Sequence, residues 1–262
     1  MSTLRSLSAG LDAVSLDELN ASAALLTRTD RKYVIPTAAL APVAADLTGV
    51  GHVRALELDG SRVGTYESTY FDTVDLAGWS ASAHPRRRRW KVRTRVYADS
   101  DTCWLELKTR NGRGHTVKER LEHPLRMRAT IGGGSAHWLG ERFAAAGMAV
   151  RPDDLVTTLT TAYGRATWLV DGARITLDEN LHFGCGERLV GAGDVVVVET
   201  KSAASGPGAV DRVLWRHGHR PIRISKYGAG MCVMHPELAS NRWHRVLHRT
   251  LRPAAALTEV AA

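Results

Sequence analysis

Five short stretches of the chain alternate apolar and ionic residues with a period of two: Lys91–Tyr97 (KVRTRVY), Trp104–Lys108 (WLELK), Val117–Glu122 (VKERLE), Arg174–Asp178 (RITLD) and Val196–Lys201 (VVVETK). That period sends successive side chains to opposite faces of a β-strand, so each stretch reads as a strand with one apolar and one charged face. Arg93 and Arg95 then share a face, as do Glu106 and Lys108, Lys118 and Arg120, and Glu199 and Lys201. One such strand alone fits a half-buried antiparallel sheet with its charged face in water. A series of them is different, because like charges side by side on a sheet face repel and call for an anion that offsets the repulsion. Closed into an antiparallel barrel of about eight strands, with the ionic faces inward, these segments would form a basic tunnel suited to a linear polyanion and a divalent metal. Unpaired charges sealed in such a barrel are costly, so the tunnel is expected to be hydrated when empty and to tighten on its ligand.

The bulk composition fits. The net charge of +8 over 262 residues favours an anionic partner, and 44% hydrophobic residues are enough for a packed core. Cys103, Cys185 and Cys232 are widely spaced and odd in number, which argues against a disulfide framework or structural zinc and points to the cytoplasm. No signal peptide is evident, and no apolar run approaches the ~20 residues of a membrane span. His244 and His248, four apart on a C-terminal helix, read as surface or satisfied residues rather than ligands. There is no P-loop, and no nucleophile stands beside a base and an orienting group. Aromatic residues make up only 6% of the chain, which argues against a specific nucleic-acid partner read by base stacking. The run Arg86–Arg89 reads as a solvated loop rather than an entrance for phosphate.

Local signals place the remaining elements. Ser15 and Glu18 form a capping box for a helix over 15–26. Residues 31–35, 53–58, 63–71, 91–97, 103–109, 115–122, 163–171, 173–178 and 194–201 read as strands, and 220–225 as a short last one. Helices are expected from 38 to about 46, over 135–146, from Pro152 to about Thr161, over 207–217, and with interruptions from Lys226 to about Thr250. The class is α+β: one domain over 1–262, with a core at about 25–240, peripheral helices and a flexible tail after about 250. Glu106 and Glu199 each precede a lysine on the same face by two residues. Such pairs suit salt bridges, and beside a phosphate chain they also suit Mg²⁺ or Mn²⁺, which prefer carboxylate oxygens. Asp178 stands behind them as a third choice.

Read in order, these segments resemble the VTC domain, the polyphosphate polymerase domain of vacuolar transporter chaperones, within the triphosphate tunnel metalloenzyme group. The motifs are Asp30-Arg31-Lys32-Tyr33, Tyr70-Phe71-Asp72-Thr73, Lys91–Tyr97, Leu105-Glu106-Leu107-Lys108, Tyr163-x-Arg165, Arg174–Asp178, Val198-Glu199-Thr200-Lys201 and Ser225-Lys226-Tyr227. The resemblance covers about residues 25–240 and implies ATP-dependent phosphotransfer onto polyphosphate, or action on a nucleoside triphosphate, with Mn²⁺ or Mg²⁺. It implies that Arg93, Arg95, Lys108, Arg174 and Lys226 act on the transferred phosphoryl group. Lys32, Arg165, Lys201 and Ser225 would bind the rest of the phosphate chain, joined on the same strand faces by Lys91, Lys118 and Arg120. Glu199, with Glu106, would hold the metal. A tunnel that binds polyphosphate without reacting it, or a triphosphate hydrolase, are the alternatives. The hydrolase and cyclase branch carries E-x-E-x-K where this chain has Arg28, Asp30 and Lys32, so one carboxylate of that branch is missing. The export segments of eukaryotic polymerases are not seen, and a membrane partner is left unidentified.

Overall fold

The computed structural model describes residues 2–22, 29–202 and 206–251. In chain order its strands are β1 (Asp12–Val14), β2 (Thr29–Pro36), β3 (Val53–Leu56), β4 (Gly64–Thr73), β5 (Arg89–Tyr97), β6 (Thr102–Arg110), β7 (Thr116–Glu122), β8 (Leu155–Val170), β9 (Ala173–Cys185), β10 (Arg188–Gly191) and β11 (Val195–Ser202). The helices are α1 (Thr3–Ala9), α2 (Leu16–Ser22), α3 (Leu40–Thr48), α4 (Ala77–Ala83), α5 (Gly134–Ala145), α6 (Ala209–Arg216), α7 (Lys226–Met234) and the short α8 (His244–Val246).

The strands pair into one sheet whose continuous path has eight members, β2-β11-β9-β8-β4-β5-β6-β7; β1, β3 and β10 attach beside it. Every pairing along that path is antiparallel, as alternation and hairpin turns require, and only β1 and β3 run parallel. Register places the ionic residues opposite one another. Arg93 faces Glu106 and Tyr70, Glu106 faces Arg120, Arg165 faces Asp178, and Glu199 faces Lys32 and Thr176.

The apolar residues between them take the other face, where the helices cover them. Trp90, Val92, Leu105 and Leu107 pack against Leu139 and Phe143 of α5. Tyr33, Ile35, Trp168, Ile175, Val196 and Val198 pack against α1, α3 and α6 through Leu4, Leu40, Val43, Leu47, Val213 and Leu214. Burying large side chains of this kind stabilises by roughly 1.5–3 kcal/mol each. The helices α1, α3, α5 and α6 therefore occupy the convex side, and the ionic face is left to the concave side.

At one end the concave face turns apolar, with Tyr70, Leu159, Leu181, Phe183, Val195 and Val197 gathered around α7. Every residue of α7 after Lys226 is buried, so the helix acts as a plug. Its glycines are there for space. A Cβ on Gly230 would lie 2.5 Å from Phe183 Cδ1, and one on Gly228 would run into the Trp243 ring. Asp72 anchors the plug: its carboxylate accepts from the backbone N–H of Gly78 (2.8 Å) and Trp79 (2.7 Å) in α4 and from Tyr227 OH (2.6 Å).

The path ends at β2 and β7, which are not hydrogen-bonded to each other. Residues 220–225 cross this seam. Ile222 N–H donates to the Lys32 carbonyl (2.7 Å), and Lys91 Nζ donates to Ser225 Oγ (2.7 Å). The strand expected there does not form, since Pro221 has no N–H to give a ladder. The helix expected from Pro152 to Thr161 is also corrected. It is a 3₁₀ turn over Pro152–Asp154 followed by the start of β8, where Thr157, Thr160 and Thr161 suit a strand once β4 supplies the pairing. The Ser15–Glu18 capping box is present, with Glu18 N–H donating to Ser15 Oγ (3.2 Å) and Ser15 N–H to Glu18 Oε2 (3.1 Å). Residues 23–26 of that expected helix, and the tail from 252, lie outside the described residues. The elements α1, α4, β1 and β10, and the extension of β9 to Cys185, were not legible from pattern.

Candidate anion-binding tunnel

Three carboxylates organise the concave face. Glu106 on β6, with its side chain only 3% exposed, receives Arg93 Nε (2.7 Å), Arg93 Nη2 (2.5 Å) and Lys118 Nζ (2.7 Å), with Arg95 Nε at 3.8 Å. Burial alone would raise its pKa. The charges of Arg93, Arg95 and Lys118 outweigh burial and hold it at about 2. Arg93 also donates to Tyr70 OH (3.1 Å). Although burial opposes its charge, Tyr70 and Glu106 hold its pKa above the ordinary value.

Asp178 on β9 is clamped by Arg165 through Nε (2.6 Å) and Nη2 (2.9 Å), and by Lys226 Nζ from the first residue of the plug. Burial again pushes upward, and Arg165 and Lys226 override it, keeping Asp178 well below the carboxylate range. Glu199 on β11 sits between Lys32 (2.5 Å) and Lys201 (3.1 Å); against its burial, these lysines hold it at about 2.

Aromatic rings fill the space between the clusters. Tyr66 stacks on Tyr163 (5.6 Å), the Arg165 guanidinium lies 5.1 Å from the Tyr66 ring centre, and Lys226 Nζ lies 4.3 Å from that of Tyr163. Four hydroxyls of this wall, Ser68 Oγ, Thr161 Oγ1, Tyr163 OH and Thr176 Oγ1, are buried without a hydrogen-bond partner among the described residues. Ser68 and Thr161 are direct cross-strand partners. Such groups cost free energy until something polar meets them.

The two ends of the sheet path face each other across this interior. Lys108 on β6 has its pKa lowered by burial and by Lys32 of β2, and supported by Glu199 and Asp30 on the opposite wall. Lys91 on β5 is lowered to about 7, by burial first and then by Lys108, Arg93, Arg242 and Arg89.

The tunnel set expected from the sequence is thus assembled. Lys32, Lys91, Arg93, Arg95, Lys108, Arg165, Lys201, Ser225, Lys226, Glu106 and Glu199 lie on the concave side or at its seam, and Arg174 stands opposite Lys201 in register. Two residues sit at the rim. The Lys118 side chain is 50% exposed, and Arg120 is exposed with its guanidinium 4.5 Å over the Trp104 ring. The cations are distributed around Glu106, Asp178 and Glu199: the salt bridge expected between Glu199 and Lys201 forms, whereas Glu106 pairs with Arg93 and Lys118. The sequence showed these residues on one face but could not show which strands become neighbours. Arg89, the last of the basic run, is half-buried and lines a cavity of about 600 Å³, whereas Arg86, Arg87 and Arg88 are exposed as expected of a solvated loop.

The donor set bears on metal binding. Among the described residues no three of His, Cys, Asp and Glu gather as a metal cluster. Both oxygens of Glu106 are held by Arg93 and Lys118. Glu199 is the more accessible carboxylate, at 20% exposed. That fits a hard cation held by one or two carboxylates, waters and phosphate oxygens, the usual manner for Mg²⁺, and does not fit an all-protein cage.

A sequence profile described as the VTC domain matches residues 27–235. Among solved structures, HpAC1 of Hippeastrum, for which a dominant triphosphatase activity is described, is 16% identical with a TM-score of 0.51, covering 78% of this chain and 95% of its own. A Bacillus halodurans protein provisionally assigned as an adenylate cyclase is 13% identical with a TM-score of 0.50, covering 75% and 92%. At these identities the likeness concerns the fold. No curated protein sequence matches the chain.

Proposed function

From the premise that the chain belongs to the VTC domain family and has the triphosphate tunnel fold, we propose that it binds polyphosphate or a nucleoside triphosphate inside its tunnel. We further propose that it transfers the terminal phosphoryl group of ATP onto a phosphate chain. The observation that carries this reading is the concave face itself, where cations from β2, β5, β6, β8, β9 and β11 converge on one lumen together with four unsatisfied hydroxyls. A polyphosphate presents oxygen acceptors and negative charge at every unit. It would meet guanidinium forks and hydroxyl donors without a P-loop.

Phosphoryl transfer requires little covalent work from a protein and much positioning. The terminal oxygen of the acceptor chain bonds to the γ-phosphorus, the bond to the bridging oxygen of ADP breaks, and ADP leaves with the electron pair. Arg93, Arg95, Lys108, Arg174 and Lys226 would orient the transferred group and offset its charge. Lys32, Lys91, Lys118, Arg120, Arg165, Lys201 and Ser225 would hold the flanking phosphates. The carboxylates fix the side chains beforehand: Glu106 holds Arg93 through two nitrogens, so its fork is already oriented when a ligand arrives. Mn²⁺ or Mg²⁺, held by Glu199 and phosphate oxygens, would supply charge neutralisation at the oxygens of the scissile bond.

The free cysteines among the described residues suit a reducing compartment, which supports a cytoplasmic setting. No helix of the described residues is long and apolar enough to cross a membrane. One observation favours a second reading, binding without turnover: the oxygens of Glu106 and Glu199 are already engaged by arginine and lysine.

Incubation of the protein with ATP and Mn²⁺ or Mg²⁺ should yield ADP and a phosphate polymer. Inorganic phosphate without polymer would favour a hydrolase. Tight tripolyphosphate binding with no turnover under any metal would leave the binding module standing, and failure to bind any phosphate chain would remove the whole reading.

A further inference from the structure

Beyond the tunnel motifs, the structure holds a second basic cluster with a different organisation. Across β5, β6 and β7 the register sets Lys91, Lys108 and Lys118 directly opposite one another. One step further toward the seam it sets Arg89 opposite Arg110. Like charges placed directly across strands destabilise a sheet. Arg223, on the segment that crosses the seam, and Arg242, on the 3₁₀ turn Asn241–Trp243, line the same cavity of about 600 Å³ as this arginine pair.

Among the described residues no ion pair joins these four arginines to a carboxylate, although Asp30 lines the same cavity. Arg89 Nη1 donates to the Arg86 carbonyl (3.3 Å), Arg110 Nε to that of Gly114 (3.0 Å), and Arg242 Nη1 to that of Ser82 (2.6 Å). Arg89 has its pKa lowered by burial and by Arg110 and Arg242; Arg242 has its pKa lowered by burial and by Arg223 and Arg110. Backbone carbonyls satisfy some N–H groups and leave the repulsion in place. The cavity is continuous with the tunnel, since Lys32, Lys91 and Lys108 line both.

We propose that Arg89, Arg110, Arg223 and Arg242 form a phosphate-binding vestibule that takes the part of a polyphosphate chain lying outside the tunnel. The protein thereby prefers long chains to tripolyphosphate. The proposal rests on the tunnel reading above and deepens it. A triphosphate held at the tunnel arginines has few phosphates to offer elsewhere, whereas a longer chain supplies anionic oxygens along its whole length and relieves repulsion at the second cluster. Lys91, bonded to Ser225 at the threshold, joins the two stations.

The test compares binding of sodium tripolyphosphate with that of polyphosphate of several tens of units, by calorimetry at fixed ionic strength. Wild type should bind the long chain at least about tenfold more tightly per chain after correction for statistical register. The triple variant Arg89→Gln/Arg223→Gln/Arg242→Gln should lose about tenfold in long-chain affinity, roughly 1.4 kcal/mol, and change tripolyphosphate affinity by less than about twofold. Its salt dependence for the long chain should also flatten. Arg87→Gln, a control on the exposed run that matches Arg223→Gln in charge, should leave the ratio between the two ligands unchanged. Equal losses for both ligands, or an equal effect of Arg87→Gln, would overturn the vestibule and leave the tunnel reading intact. If wild type binds neither ligand, both readings fail. Arg223→Gln alone, on a segment without regular structure, gives the same comparison if the triple variant does not fold.

Discussion

The tunnel wall and the vestibule carry the same sign of charge and organise it in opposite ways. In the wall, Glu106, Asp178 and Glu199 each gather two or three cations. In the vestibule, Arg89 and Arg110 face each other across the sheet and lean on backbone carbonyls. The wall therefore has its cations fixed and partly neutralised before any ligand arrives. The vestibule sets four arginines beside Asp30 as the acidic residue of its wall, so positive charge stays in excess and an anion from outside offsets it. A wall built this way contributes to folding as well as binding; the vestibule weakens folding slightly and contributes to binding alone.

The largest effect that would break this contrast is on Glu106. Glu106→Gln leaves Arg93, Arg95 and Lys118 without their shared anion, and the loss of one partner from a buried ion network costs about 3–5 kcal/mol. Urea unfolding should show it, and a loss under ~1 kcal/mol would mean the wall is not organised by its carboxylates. Arg93→Ala comes next. Repulsion between like charges on one sheet face would by itself let its removal spare stability. Its two bonds to buried Glu106 reverse that expectation, so the variant should lose about 1.5–3 kcal/mol of stability as well as affinity for tripolyphosphate.

Acid should act on the wall first. Glu106 and Glu199 are held at about 2 against an ordinary 4.5, so the folded state releases their protons more readily than the unfolded chain does. Their stabilisation is complete above 4.5 and lost as pH falls from there toward 2. Monitoring unfolding against pH should reveal this window in wild type and a shallower decline in Glu106→Gln.

Lys91 marks the boundary between the regions. It is lowered to about 7 by burial and by Lys108, Arg93, Arg242 and Arg89, so near neutrality it is only partly protonated. An arriving phosphate favours the charged form, and binding near pH 7–8 should take up a fraction of a proton. Calorimetry in buffers of different ionisation enthalpy measures that uptake, and none would place the phosphate away from Lys91. For folding the slope has the same sign as for the acids, in a higher pH window. The unfolded chain holds this proton more strongly between about 7 and 10.5, so stability rises with pH over that interval. The smallest effect belongs to the vestibule itself: Arg242→Gln should change unfolding free energy by no more than about 0.5 kcal/mol, in the stabilising direction.

Much of the sheet was legible because alternation is a local property. The period-two pattern of KVRTRVY fixes which residues share a face, and covering helices then decide which face is inside. The stretch 155–161 was misread as helix because Pro152 is a good helix start and the threonines that follow have no alternation of charge. Pairing with β4 overrides the local signal there. The plug helix was expected from Lys226 onward, but nothing local says that Gly228 and Gly230 are there to let it approach Trp243 and Phe183.

Among site residues, those carrying charge on strands were found, since charge on a strand is conspicuous. Tyr66 and the hydroxyls of Ser68, Thr161 and Thr176 were not, because such residues are ordinary in any strand and only enclosure leaves them wanting a partner. Arg223 and Arg242 lie 19 positions apart and far from β5 in the chain, and no spacing rule connects them with Arg89.

The sequence by itself determined the strands, the two chemically distinct faces of each and the surplus of positive charge, because those follow from residue type and a repeat of two. Only the tertiary structure decided which carboxylate serves which cations and where cations meet without one. Charges interact through distance, and distance across a curved sheet depends on register, curvature and the segment at its seam.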